Sequence, residues 1–404
     1  MRYWVRFGRR NACVEQDYVR RRPRYADVRT RSQCDVAPRR QRSAIASHYV
    51  SNLWPTRPAP DGVSAAGTLS VPTGHPVIVI PATRRQAVLA FDDRHEIRIN
   101  YFLPVENNHI FNEADFFKLH ASSADDVYAQ LVRVADDKVC ATIAFYETGK
   151  KVFISPKRGT FGGLGLNCPL EVHTVEHFLS KLIDYLKAIG ACEIDVKCAP
   201  FSHDLPLSSL VSNILLRQGG AIASHELNHD MQVDARPFLQ RIDYGNAKRI
   251  RKCLREGFVA EQIDPSACED AYRVIRDNRQ RRGYPISMTA EQIKAMVKTF
   301  PGRLHFFAVY PDPQKSRIVA AGICIAVSRY ILYVFYWGDV ADMGAYSPIA
   351  LLASHIYEFC QREGFRLLDA GTSTLAGELN HGLIKFKRNL GFSESLKLSF
   401  VCQV

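Results

Sequence analysis

The feature that most narrows what this chain can fold into is an order of elements that occurs twice. In the first occurrence a short apolar strand, Lys151 to Ser155, runs into a glycine-rich loop and then an amphipathic helix from Glu171 to Ile189 that stops at Gly190. An alternating strand, Ala191 to Lys197, leads to a polar loop, a second helix from Leu207 to Gln218, and the pair Gly219 and Gly220. In the second occurrence Tyr330 to Trp337 precedes a loop with Gly344 and a helix from Pro348 to Glu363 that stops at Gly364. A strand from Phe365 to Ala370, a polar loop, a helix from Gly382 to Leu390, and Gly391 with Phe392 complete it. Gly190 and Gly364 lie 174 residues apart, and Gly220 and Gly391 lie 171 apart. Glycine ends a helix because it enters the left-handed region without a Cβ penalty, so stop signals at nearly constant offset predict a duplicated unit.

Local chemistry supports the second copy. Ser347 is a preferred N-cap residue, and Pro348 suits the first helical position, where no backbone donor is needed. Ile349, Leu352, Ile356 and Phe359, with Ala353 and Cys360 beside them, form one apolar face at helical spacing. Strands interleaved with helices predict an α/β fold in two tandem units, each a mixed, mainly antiparallel sheet flanked by helices.

Charge is confined to one end of the chain. The net charge is +12, but residues 1–60 hold 14 arginines, no lysine and 4 acidic residues, leaving 39 basic against 37 acidic residues for the remainder. The basicity therefore argues little for nucleic-acid binding by the folded part. Residues 1–85 are expected to be a basic tail and Pro/Gly/Ser-rich linker without a role in the chemistry, followed by units over 86–235 and 236–404. No apolar run reaches the roughly 18 to 20 residues that span a bilayer, so no membrane span is expected. Eleven cysteines are scattered without a CxxC pair, as expected of reduced thiols in a cytoplasmic protein.

The run GLIKFKRNLGF, Gly382 to Phe392, carries a Phe-Lys pair before a glycine, and DYGNAKRIRKCLREGF, Asp243 to Phe258, is a basic helix between the two copies. With the duplicated unit, these segments resemble the Fem-type peptidyltransferases of the GNAT superfamily over about residues 100–404. The resemblance implies N-acyl transfer, most simply of acetyl, from acyl-CoA to an amine acceptor on a sugar, peptide or amino acid. Its alternative form is aminoacyl-tRNA-dependent transfer to a cell-wall precursor, with tRNA as a partner. It further implies that Lys387, at a position where many GNAT enzymes carry Tyr, stabilises charge at the acyl carbonyl or leaving group, with Phe386, Asn380, Trp337 and Arg249 around the substrate.

Amine acylation also needs a base and, for a CoA donor, a phosphate site. Asp339, after Gly338 at the end of a strand, is the candidate base; Asp369 closes the next strand and reads as a turn anchor. The loop Lys157-Arg158-Gly159-Thr160-Phe161-Gly162-Gly163 combines two cations with three glycines before a helix, similar to a GNAT pyrophosphate loop. Lys157, Arg158, Gly159, Gly162 and Gly163 are thus candidate cofactor residues. The same glycines also suit a tight turn. Gly344 and Ser347 occupy the equivalent loop of the second copy, which lacks a cation. His225 to His229 spells HExxH, which on a helix would ligate zinc. That run follows Gly220 where the duplicated unit predicts a strand, and in a strand its two histidines would stand roughly 13 Å apart. No metal is therefore expected, a zinc hydrolase being kept only as a further alternative.

Overall fold

In the computed structural model of the chain, the described residues are 84–105, 109–375 and 377–404. The expected tail and linker lie, apart from Arg84 and Arg85, outside them. The first half comprises β1 (Ala87–Ala90), β2 (His95–Ile99), α1 (Ala114–His120), β3 (Val127–Arg133), β4 (Lys138–Glu147), β5 (Val152–Ser155) and β6 (Gly165–Leu166). There follow α2 (Val172–Ala188), β7 (Glu193–Lys197), α3 (Leu205–Arg217) and β8 (Ala221–Gln232). The second half has α4 (Tyr244–Arg255), β9 (Val259–Ile263), α5 (Cys268–Arg281), α6 (Ala290–Thr299), β10 (Leu304–Tyr310), β11 (Ala320–Ser328) and β12 (Ile331–Asp339). It closes with α7 (Pro348–Glu363), β13 (Leu367–Thr372), the short strands β14 (Thr374–Leu375) and β15 (Glu378–Leu379), α8 (His381–Asn389) and β16 (Ser393–Gln403).

Both occurrences of the unit take the expected order, and they pair alike. The main sheet runs β1-β2-β3-β4-β5-β7-β16-β8-β13-β12-β11-β10-β9, with β6 on β4. Its pairings are antiparallel except β5 with β7 and β12 with β13, the two places where a helix carries the chain back to a neighbouring strand. The fold is thus the expected layered α/β arrangement around a mixed, mostly antiparallel sheet.

The closing strands are exchanged. β8 follows the first copy's second helix, yet it pairs with β13 of the second copy, Asp230 opposite Asp369. β16, at the end of the chain, lies between β7 and β8, with Ser399 opposite Lys197 and Lys397 opposite Glu226. The ladder therefore crosses the expected boundary between residues 235 and 236.

Apolar faces of the helices set the layers. Ile349, Leu352, Ala353, Ile356, Phe359 and Cys360 of α7 are all buried, each large side chain contributing about 1.5 to 3 kcal/mol by leaving water. They join Ile250 of α4, Phe392 and Leu332 in one cluster. Phe178 and Leu182 of α2 and Val211 of α3 pack with Leu398 and Phe400 of β16 in a second. A third gathers Ile275 of α5 and Met296 of α6 with Phe161 and Tyr333. Gly391 ends α8 at φ +83°, and a Cβ there would meet the Arg241 carbonyl oxygen at 2.5 Å, so conformation and packing both require glycine.

The HExxH run lies within β8, extended as its context implies, so its histidines lack helical spacing. His229 is buried with Nδ1 3.0 Å from Ser373 Oγ, while Glu226 accepts from Thr374 Oγ1 and from the Gly377 N–H.

Candidate active site

The site begins where two parallel strands part. The β12–β13 ladder ends at Tyr333 opposite Asp369, whereas β12 stays paired with β11 as far as Asp339. Residues 334–339 therefore present an edge that β13 does not cover. β13 turns away to pair Thr372 with Asn228 of β8. The equivalent parting in the first copy is closed by its own loop. Beyond Ser155 opposite Val196, Gly162 bridges to Cys198 and its N–H donates to the Lys197 carbonyl at 2.8 Å.

Asp369 sits at the apex of the open parting, fully buried. His203 Nε2 lies 2.7 Å from its Oδ2, and its Oδ1 accepts from Asn228 Nδ2 at 2.9 Å and the Gly371 N–H at 2.7 Å. Burial pushes this carboxyl up, but His203, by hydrogen bond and charge, with Gly371 and Asn228, outweighs it and holds the carboxyl below its usual range. Asp369 is thus a held anion, more than the turn anchor that the sequence suggests. Tyr333, its partner across the ladder, places its hydroxyl 3.2 Å from Thr160 Oγ1.

Lys387 reaches the same apex from α8. It is only 2% exposed, and its Nζ donates to the carbonyls of Gly371 and Thr372, each at 2.9 Å. Burial pulls its pKa down to about 7, against the opposing charge of Asp369. Either protonation state satisfies both carbonyls, since a neutral amine keeps two N–H groups.

The remaining sequence candidates are spread over several environments. Asp339 accepts from Asn278 Nδ2 at 2.9 Å, with Arg281 and Arg282 nitrogens 3.8 and 3.9 Å away. Burial raises its pKa and the two arginines lower it. Burial prevails, so the carboxyl stands above its usual range, with Asn278 and the two arginines around it. Trp337 packs edge-on against Phe386 and Phe392. Asn380 caps α8 by accepting from the Leu383 N–H, and its amide donates to Tyr284 Oη at 2.7 Å, a structural role in place of the expected substrate contact. Arg249 is exposed on α4.

The glycine-rich loop does not precede a helix directly, because β6 and residues 167–171 intervene before α2. Its Gly162 and Gly163 amides are spent on the Lys197 carbonyl and Ser155 Oγ. Cβ atoms at Gly159 and Gly162 would strike Pro156 at 2.9 and 2.8 Å, so these glycines serve close packing, the tight-turn alternative. Lys157 and Arg158 face away, lining a concavity of about 420 Å³ with His120, Ser122, Glu291 and Gln292. At α7, Ser347 is left-handed with φ +53° and its hydroxyl makes no capping bond, contrary to the cap expected there. The cation missing from that loop comes from α4: Lys252 Nζ lies 4.1 Å from the Tyr346 ring.

Sequence reasoning missed His203 and Asn228, and read Lys252 only as one cation of the basic helix. His203 lies in the polar loop after β7, a position the duplicated unit marks as a strand mouth. What conceals it is that its partner, Asp369, is 166 residues away.

With this geometry in place, residues 245–387 match the acetyltransferase (GNAT) domain family. The solved structure of FemX superposes with a TM-score of 0.58 at 12% identity, covering 74% of this chain and 93% of that one. L-PGS from Bacillus licheniformis gives 0.47 at 10% identity over 74% and 92%, and a GCN5-related N-acetyltransferase from Sphaerobacter thermophilus gives 0.42 at 13% over 78% and 97%. At those last two scores neither adds to the fold argument. No curated protein matches the chain by sequence. The fold is that of the GNAT superfamily in its Fem-type form. The match over residues 245–387 supports a transferase.

Proposed function

We propose that this protein is an N-acyltransferase that moves an acyl group, most simply acetyl, from acyl-CoA bound in the second copy to an amine acceptor. The observation that carries this reading is the uncovered edge of β12 at residues 334–339, inside the segment that matches the GNAT domain. Backbone donors and acceptors on such an edge can pair with the amides of a pantetheine arm as a neighbouring strand would. The start of α7 lies beyond that edge, where the helix dipole favours phosphate, with Lys252 of α4 adding charge. The first copy has its parting filled by Gly162, so it suits the acceptor, with Lys157 and Arg158 available to an acidic group. In this reading Lys387 stabilises charge near the transferred carbonyl, and Asp339, Trp337 and Phe386 shape the second copy's wall.

A second reading has specific support. α4 exposes Lys248, Arg249, Arg251 and Arg255, a surface suited to the backbone of a charged tRNA as donor.

The test is thermal shift and thiol release on the full chain. A donor at 100 times its Kd adds about 2.7 kcal/mol of stability, so CoA and acetyl-CoA should raise Tm, and acetyl-CoA with a panel of amines should release free thiol. Turnover that requires aminoacyl-tRNA selects the second reading. Binding of neither donor refutes both.

A further inference from the structure

His203 belongs to the first half of the chain, yet it makes its closest polar contact with the second. Its side chain is 3% exposed, and Nε2 lies 2.7 Å from the fully buried Asp369 carboxylate at the point where β12 and β13 part. Asp369, bonded also by Asn228 and Gly371, accepts from Nε2–H, and the tautomer that donates there while neutral presents Nδ1 as a bare acceptor. That Nδ1 is out of solvent and has no hydrogen-bond partner among the described residues. Buried polar atoms are nearly always paired, so a nitrogen kept bare beside a held carboxylate is poised for a donor that arrives with a ligand.

Resting on the reading of the preceding section, we propose that His203 is the proton acceptor of the transfer: its Nδ1 takes a proton from the acceptor's ammonium, and Asp369 holds the imidazole in the productive tautomer. The freed nitrogen lone pair attacks the acyl carbon, forming the C–N bond. The C–S bond to CoA then breaks, and the second proton leaving nitrogen goes to the sulfur. The charge left on the imidazolium is matched by Asp369, one hydrogen bond away.

The surroundings suit this assignment. Phe161 stacks edge-on at 4.9 Å, and Tyr333, hydrogen-bonded to Thr160, packs edge-on against the same Phe161. The His109 ring lies 5.9 Å away, and burial, with the charges of His203 and Arg303, pushes its pKa well down, so it does not compete for the proton. Asp230 is the second carboxylate coupled to His203; burial raises it while Ser395 and Ser202 hold it. Lys387 is directed to the Gly371 and Thr372 carbonyls, and Asp339 Oδ1 is engaged by Asn278, whereas His203 Nδ1 is unengaged among the described residues. The transfer centre is then composite: the donor edge comes from the second copy and the base from the first.

The decisive variant is His203→Gln, whose amide can still donate to Asp369 but cannot take a proton. The expected result is unchanged CoA binding and Tm, kcat lower by about 10²- to 10⁴-fold, and loss of the acid limb of the pH–kcat/KM profile. A His203→Gln enzyme with wild-type kcat and an unchanged profile overturns the proposal and leaves His203 a structural clamp. A wild-type protein that binds no acyl-CoA and turns over none refutes the transferase reading, and the proposal with it. If His203→Gln fails to fold, ¹⁵N-resolved imidazole signals of the wild type decide: saturation with CoA and an accepted amine must move the His203 Nδ1 resonance, and an unmoved resonance overturns the assignment.

Discussion

The Lys387 ammonium lies 2.9 Å from the Gly371 carbonyl oxygen and at the same distance from that of Thr372. These are the carbonyls of β13 just past Asp369, where the strand has left β12. One buried side chain thus ties α8 to the diverging strand and fixes the opening beside which the chemistry is proposed.

The Lys387 pKa of about 7 lies below its ordinary 10.5, so between those values the unfolded chain binds a proton that the folded chain does not. Stability should therefore rise with pH in that window, Lys387 contributing up to about 1.4 kcal/mol per pH unit. Urea unfolding at pH 7.5 and 9.5 should show a smaller rise in Lys387→Met than in wild type. Equal slopes would mean that Lys387 stays charged when folded.

Asn380 holds the start of α8 by capping. Asn380→Ala should lose about 1 kcal/mol in urea unfolding, and Asn380→Ser should recover most of it, because serine also caps. Neither change should alter KM for the donor; a large KM change with intact stability would restore Asn380 to the substrate site.

Gly391 has no room for a side chain. Gly391→Ala combines left-handed strain with a backbone clash at Arg241, and should cost about 2 to 4 kcal/mol by chemical denaturation. A loss under 1 kcal/mol would show that the α8 terminus relaxes freely.

Strand exchange makes the halves depend on each other. Residues 84–235 alone leave β7 unpartnered along one edge and β8 along both, while residues 236–404 lose β8 beside β13 and both partners of β16. Neither fragment should unfold cooperatively alone, and co-expression should restore a soluble pair. A cooperative transition from the isolated 236–404 fragment would contradict this.

The repeated element order was readable because each signal is local. Apolar spacing placed α7 at Pro348–Glu363 to the residue, and Gly190, Gly364 and Gly391 stop their helices at positive φ. Site residues were less readable where one residue type serves two purposes. Glycines at 159, 162 and 163 suit a phosphate loop and a packed turn equally, and only the position of Pro156 and β7 distinguishes them. Asn380 likewise suits a ligand or a helix cap.

By itself the sequence determined the periodic elements, their repeated order and the place of Lys387 before Gly391, since propensity, capping and apolar spacing act over a few residues. Only the tertiary structure decided that β8 and β16 change places, that the first parting is filled by Gly162 while the second stays open, and that His203 meets Asp369. The exchange and the His203 contact depend on pairings between residues more than 100 positions apart, and the Gly162 bridge on one 36 positions apart; their energies come from burial and register between strands that no local pattern encodes.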